Sequence, residues 1–130
     1  MNHCSMKREF YMDIDDIVDE LLTALKAGGW TLSKMNYELC KLTATSKERK
    51  EHKGESFELT FGLIAIWRDM EDLIELEIVV EEAEQSWTEK ECITKCSAVI
   101  GAIKEEKTYQ SLYAQGGGMD FDNEDFESNN

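Results

Sequence analysis

The sequence predicts an α+β fold, a small two-layer sandwich in which a three-stranded antiparallel sheet carries two helices on one face, in the order α-β-β-β-α. Hydrophobic residues recur at helical spacing in two stretches, and between these stretches they alternate with polar residues as in strands. The chain has 130 residues, which is room for one compact domain. We therefore expect a single acidic domain over residues 13–114.

The first predicted element is a helix that begins after Asp13. Residues 1–12 show no hydrophobic periodicity, and we assign them to a flexible N-terminal arm. The acidic residues of the first turns suit the positive end of the helix dipole, and Gly28 and Gly29 end the helix. Its apolar stripe comprises Ile14, Ile17, Val18, Leu21, Leu22 and Leu25. We expect this stripe to pack on the sheet.

Three strands are predicted in the middle of the chain. Residues 30–45 alternate polar and apolar side chains in part, which favours a strand, with one face of a helix as the alternative. The polar residues 46–54 are typical of an exposed hairpin loop. Residues 57–67 form the second strand, whose apolar end predicts burial on both faces. After a turn, residues 74–81 form the third strand, which has one dry face and one acidic face.

A second helix closes the predicted domain. Ser86 lies three residues before Glu89, which is the spacing of a capping box at a helix N-terminus. The apolar stripe that follows comprises Cys92, Ile93, Cys96, Val99, Ile100 and Ile103. Residues 115–130 contain a run of glycines and then acidic residues without periodicity. We predict that this Gly-linked tail is disordered when the protein is free.

The charge balance disfavours one class of function. The chain carries 28 acidic and 14 basic side chains, for a formal net charge of -14. Direct binding of nucleic acid is not expected, because a protein that neutralises phosphates needs a clustered cationic surface. No apolar run approaches the ~20 residues of a membrane span, and no secretory signal is visible. We therefore expect a cytoplasmic protein, in a host cytoplasm if the chain is viral, that does not bind a membrane.

The residue types that usually carry catalysis are sparse. His3 and His52 are the only histidines in the sequence, and neither has a candidate base or nucleophile near it in the sequence. Cys92 and Cys96 are four residues apart, unlike the C-x-x-C pairs of zinc sites, and they lie in the apolar stripe of the second helix. We therefore predict that the protein is not an enzyme and has no metal or cofactor. The cysteines, which include Cys4 and Cys40, are expected to be free thiols.

The acidic residues between positions 69 and 91 are the most unusual feature of the sequence. Those predicted to bind a partner are Asp69, Glu71, Asp72, Glu75, Glu77, Glu81, Glu82 and Glu84. Carboxylates on alternate residues of a strand repeat at about 6.6 to 6.8 Å, close to twice the ~3.4 Å between phosphates of one DNA strand. This spacing predicts a non-catalytic inhibitor that occupies the groove of a basic partner such as a nuclease, similar to anti-defence proteins, immunity proteins and viral DNA mimics. A solvated outer sheet face is the alternative.

The C-terminal tail is a second predicted binding segment. Acidic residues and phenylalanines are interleaved there, and the residues concerned are Asp120, Phe121, Asp122, Glu124, Asp125 and Phe126. The segment resembles the acidic C-terminal peptides of single-stranded-DNA-binding proteins, which dock on basic pockets of partner proteins. The resemblance implies that the tail binds a basic protein, while a purely solubilising tail is the alternative.

Two other functions stay open at this point. Small acidic chains of this element order are similar in outline to secretion chaperones, which present hydrophobic surface to an extended client. In that case the chain would form a homodimer, and a patch of Ile64, Ile66 and Trp67 would lie at a sheet edge. If residues 30–45 were helical, the chain would instead be a winged-helix-like DNA-binding regulator. Its contacts would come from the basic residues Lys47, Arg49, Lys50 and Lys53.

Overall fold

The fold is a five-stranded antiparallel sheet with two helices packed against it. The computed structural model describes residues 2–104. Its elements are β1 (Asn2–Phe10), α1 (Ile14–Ala27), β2 (Thr31–Asn36), β3 (Lys41–His52), β4 (Glu55–Asp69), β5 (Ile74–Glu82) and α2 (Glu89–Ala102). The strands are ordered β1-β5-β4-β3-β2 across the sheet. The α+β class is confirmed, but the predicted three-stranded sheet and the order α-β-β-β-α are wrong.

Strand β1 occupies the segment predicted as a flexible arm over residues 1–12. It pairs with β5 along its whole length, from Asn2 opposite Glu82 to Phe10 opposite Ile74. An edge strand has only one neighbour, and within this strand Phe10 alone is fully buried. The hydrophobic alternation of β1 is therefore too weak for a pattern search to find.

Strand β2 and the start of β3 share the segment 30–45, which was predicted as one strand. The two strands are antiparallel and flank a turn in which Asn36 Oδ1 accepts a hydrogen bond from the backbone N–H of Leu39, at 3.0 Å. Because the strands of this segment are extended, the helical alternative is wrong. The winged-helix alternative therefore lacks the helix on which it depended.

The polar residues 46–54 continue β3 instead of forming the predicted loop. They pair with β4 residue by residue as far as His52. The hairpin turn is confined to Lys53 and Gly54, which have positive φ angles of 54° and 83°. Turns with two positive φ angles match the natural twist of paired strands, so the hairpin continues although its side chains are polar.

The hydrophobic core lies between one face of the sheet and the two helices. Phe61, Trp67 and Leu76 are fully buried there, together with Ile17 and Leu21 of α1. The buried hydrophobic residues of the described part of the chain form one cluster. No helix or strand within residues 2–104 covers the opposite face of the sheet, which we call the open face.

Helix α2 begins differently from the predicted capping box. Thr88 directly precedes the first helical residue, Glu89, and Ser86 lies exposed in the preceding loop. Ile93 was predicted to be buried, but it is 42% exposed. The rest of the predicted stripe is confirmed, since the buried residues are Cys92, Cys96, Val99, Ile100 and Ile103.

Candidate functional site

The structure divides the acidic residues predicted to bind a partner among three places. On the open face of β5 lie Glu75, Glu77 and Glu81. At the turn between β4 and β5 lie Asp69, Glu71 and Asp72. At the opposite end of β5 lie Glu82 and Glu84. Because β5 spans nine residues, its two ends are about 26 Å apart, and the eight acids do not form one patch.

Two of the three acids on the open face are held in internal ion pairs. Arg68 Nη1 lies 2.9 Å from Glu75 Oε1, and Arg68 Nη2 lies 2.8 Å from Glu77 Oε1. Ser5 Oγ donates a further hydrogen bond to Glu77 Oε2, at 2.8 Å. Hydrogen bonds from Arg68 and Ser5 hold the pKa of the Glu77 carboxyl below its usual value. The predicted acidic row is thus partly neutralised within the chain.

The lowered pKa of Glu77 predicts a loss of stability in acid. A carboxyl with a depressed folded-state pKa contributes stability above its unfolded value, here 4.5, and loses it as the pH falls through the folded pKa. Arg68→Gln is therefore expected to lower the urea midpoint at about pH 7 more than at about pH 3. Lys47→Gln, which removes a positive charge elsewhere on the sheet, is the control. An equal loss at both pH values for Arg68→Gln would contradict the coupling.

Glu82 lies inside the protein rather than on a binding surface. Its side chain is 1% exposed and accepts hydrogen bonds from the backbone N–H groups of Glu84 and Gln85, at 3.0 and 2.9 Å. It also accepts a bond from Thr88 Oγ1, at 2.8 Å. Asn2 Nδ2 donates to Gln85 O and to Thr88 Oγ1, which attaches β1 to the same loop. The Glu82 carboxylate therefore fixes the connection between β5 and α2.

The centre of the open face is aliphatic. Ile64 lies directly opposite Val79 on β5 and Thr43 on β3. Ile66 lies in the next row, between Glu77 and Lys41. Among the described residues, neither isoleucine belongs to the core cluster on the other side of the sheet. The aliphatic stripe is half-buried by its neighbours and faces away from both helices.

Positive side chains lie on the other half of the open face. Lys41, Lys47 and Arg49 occupy alternate positions of β3, and Lys34 on β2 lies opposite Thr43. The open face therefore carries acids on β5, the aliphatic pair Ile64 and Ile66 at the centre of β4, and mainly cations on β3. Toward the ends of β4 the same face carries Glu58 and Arg68. Sequence reasoning missed this division because it assigned residues 46–54 to a loop. The signal was the alternation of basic and threonine residues at every second position from 41 to 49.

The apolar patch of Ile64, Ile66 and Trp67 was predicted to lie at a sheet edge, and this position is wrong. β4 lies between β5 and β3, so none of its residues is at an edge. Trp67 is 1% exposed and points into the core. Only Ile64 and Ile66 of that patch reach the open face.

Two cavities lie on the described surface, the first at the β2–β3 side of the open face and the second near α2. One of about 130 Å³ is lined by Lys34, Asn36, Leu39, Lys41, Leu42 and Thr43. The other, of about 230 Å³, is lined by Glu48, Lys50, Lys90, Glu91, Thr94 and Lys95. In the second cavity Lys95 Nζ lies 3.1 Å from Glu48 Oε1, so part of its charge is already paired.

The cysteines of α2 are core residues, as predicted. The thiol of Cys96 donates to the backbone oxygen of Ile78 at 3.1 Å, and that of Cys92 lies 3.8 Å from the backbone oxygen of Asn2. Burial raises the pKa of Cys92 to about 11 and that of Cys96 to about 12, so both thiols stay protonated at neutral pH. The cysteines of the sequence are free thiols, which confirms that prediction.

The two histidines occupy unrelated positions. His3 lies on β1 opposite Glu81, whereas His52 stacks on Trp87 with 4.2 Å between ring centroids. Within residues 2–104, no group of three His, Cys, Asp or Glu side chains is arranged to bind a metal ion. Over the same residues, neither helix has the length and hydrophobicity needed to cross a membrane. The absence of catalysis, metal and cofactor stays a prediction.

The predicted tail-binding segment lies outside the described residues. It comprises Asp120, Phe121, Asp122, Glu124, Asp125 and Phe126. The assignment of residues 115–130 to a disordered tail also falls there. Both therefore stay predictions.

Comparison with known proteins gives only distant structural likenesses. No protein-family model matches the chain, and no curated protein matches it. Protein CC1736 of Caulobacter crescentus is 11% identical with a TM-score of 0.48, over 88% of this chain and 99% of that one. Protein CV1439 of Chromobacterium violaceum is 10% identical with a TM-score of 0.45, over 79% and 95%. Protein TTHA0849 of Thermus thermophilus is 6% identical with a TM-score of 0.40, over 86% and 97%. At these TM-scores the likenesses carry no argument about function.

Proposed function

We propose that this chain is a protein-interaction domain that acts without catalysis and uses the open face of its sheet as the contact surface. The observation that carries this proposal is the aliphatic stripe of Ile64, Ile66 and Val79 within a charged surround. Stable protein interfaces have the same layout, with an apolar centre and a polar rim.

The residues of β4 add a second argument. An antiparallel sheet with one wet face normally alternates hydrophobic residues toward the core and polar residues toward water. From Leu63 to Trp67 every residue of β4 is hydrophobic, yet the helices cover only one side of the sheet. A binding partner on the open face would explain why the other side is hydrophobic as well.

Imitation of nucleic acid is the second candidate function. Glu75, Glu77 and Glu81 share one face of β5, which favours it. However, Arg68 pairs with two of these acids, and β3 places cations on the same face. A basic groove would therefore meet both signs of charge, and a binding surface that matches mixed charge fits the geometry better.

Site-specific photocrosslinking tests the proposed contact surface. We would replace Ile66 with the photoreactive residue p-benzoylphenylalanine and irradiate the cells that naturally produce this protein. A crosslinked product of discrete mass is expected, and it should disappear when Ile64→Asp is added to the same chain. The matched control carries the photoreactive residue at Ile93, an exposed aliphatic position on α2. No product at position 66, or equal products at both positions, would contradict the proposal.

A further inference from the structure

We infer that the partner on the open face is a second copy of this chain, packed sheet against sheet about a two-fold axis that runs along β4. This inference rests on the proposed function, because it requires the open face to be a contact surface. It is carried by the row that crosses the sheet at Ile66, which has the acid Glu77 on β5 and the cation Lys41 on β3.

The charges match in the row of Ile66, because this row has an acid on β5 and a cation on β3. A two-fold axis parallel to β4, midway between two facing sheets, places β5 of each copy over β3 of the other. Glu77 and Lys41 lie in the same cross-strand row, on either side of Ile66. Each is one strand from the axis, or about 4.8 Å. Glu77 would therefore face the partner's Lys41, and the pair occurs twice by symmetry.

The alternative two-fold orientation is disfavoured by the same charges. An axis perpendicular to the strands would place β5 of one copy over β5 of the other. Glu75, Glu77 and Glu81 would then meet the same acidic residues of the second copy, and like charges in contact cost free energy. The Glu77–Lys41 row thus favours the axis along β4. Along that axis Arg68 also meets the partner's Arg68, but each Arg68 is neutralised by Glu75 and Glu77 of its own chain.

The rows next to the axis are suited to close approach. Facing sheets pack about 10 Å apart, and each sheet twists, so the match is best near the axis. Ile64 lies on the axis strand and would contact the partner's Ile64, with Val79 and Thr43 beside it. Gly62, two residues before Ile64 on the same strand, has no side chain to hold the sheets apart. The aliphatic stripe would become the dry centre of the interface.

A charge exchange tests this arrangement in purified full-length protein. Sedimentation equilibrium of the unmodified chain is expected to give a mass near twice 15.0 kDa. Lys41→Glu and Glu77→Lys should each raise the dimer dissociation constant about tenfold or more, because each variant places like charges opposite each other twice. Mixing the two variants should restore the dimer, since both contacts then join opposite charges. Ile93→Glu is the control and should leave the dimer intact.

The Glu77 variant needs a check because Glu77 also pairs with Arg68. If circular dichroism shows that Glu77→Lys is unfolded, Lys41→Glu is compared with Lys41→Gln instead. Weaker dimerisation of the glutamate variant than of the glutamine variant supports repulsion by the partner's Glu77, and equal dimerisation overturns it.

Three outcomes would overturn the inference in different ways. A chain that stays monomeric at all concentrations, while position 66 crosslinks to a protein of another mass, overturns the second copy and leaves the proposed function standing. A monomeric chain without any crosslink at position 66 overturns both. A mixture of the charge variants that associates no better than either variant alone overturns the proposed orientation.

Discussion

Glu82→Ala is expected to lower the free energy of unfolding by about 3 kcal/mol. The substitution removes the acceptor of three hydrogen bonds, from the N–H groups of Glu84 and Gln85 and from Thr88 Oγ1. Two of these donors are backbone groups that the loop cannot redirect without moving. Urea unfolding followed by circular dichroism measures the effect.

Two further variants show whether the effect of Glu82→Ala comes from the lost hydrogen bonds or from any change in this loop. Glu84→Ala, in the same loop but exposed, should change the free energy of unfolding by no more than about 0.5 kcal/mol. Thr88→Val should fall between the two, because it removes one donor to Glu82 and the acceptor for Asn2. If Glu82→Ala were as stable as Glu84→Ala, the carboxylate would have no structural role in the loop.

Trp67→Ala is expected to lower the free energy of unfolding by about 3 to 5 kcal/mol, through lost burial and a cavity in the core. Trp67 is 1% exposed, and Tyr37 packs against it edge-on with 6.4 Å between ring centroids. Urea unfolding again provides the measurement. The same substitution should leave crosslinking from position 66 unchanged wherever the variant is folded, since Trp67 points away from the open face.

The control for Trp67→Ala is Tyr37→Ala, which removes the other ring of the same aromatic contact. Tyr37 is 61% exposed, so Tyr37→Ala should cost only the edge-on contact, about 0.5 to 1.5 kcal/mol. Similar losses for Tyr37→Ala and Trp67→Ala would mean that Trp67 is not a core residue. That outcome would return Trp67 to the surface patch that sequence reasoning assigned to it.

Elements with a buried face could be predicted from the sequence. Helix α1 was expected to start after Asp13 and to end at Gly28, and it spans Ile14–Ala27. The alternation of β5 was also correct, because Leu76 and Ile78 face the core while Glu75 and Glu77 face away. Both elements form because they bury hydrophobic residues on one face, and that burial is visible in the sequence as a periodic pattern of hydrophobic residues.

Elements held together by pairing could not be predicted in this way. β1 and the outer half of β3 bury little, and they are strands because their backbone groups bond to β5 and β4. Every residue type except proline can make the same backbone hydrogen bonds, so the amino-acid composition of a segment does not show whether its backbone pairs with a neighbouring strand. The sequence of the polar segment 46–54 therefore predicts a loop, whereas in the structure the segment is part of the β3–β4 hairpin.

The candidate site was predicted in part, for a related reason. The shared face of Glu75, Glu77 and Glu81 follows from the two-residue period of a strand. Their pairing with Arg68 depends on the register between β4 and β5, which places Arg68 opposite Glu75. The burial of Glu82 depends on a loop that folds back over its carboxylate. Neither register nor loop closure can be read from the spacing of acids.

The pairing of β1 with β5 has a consequence for how the protein is made. The ribosome synthesises β1 before the other strands, but Asn2 pairs with Glu82, so β1 waits until most of the described sequence has emerged. Contacts between such distant residues form late, because the entropy cost of closing a long loop comes before the contacts can stabilise the fold. The nascent chain therefore carries a methionine-containing strand without its partner until β5 has been synthesised, and the sheet gains this edge after the β3–β4 hairpin.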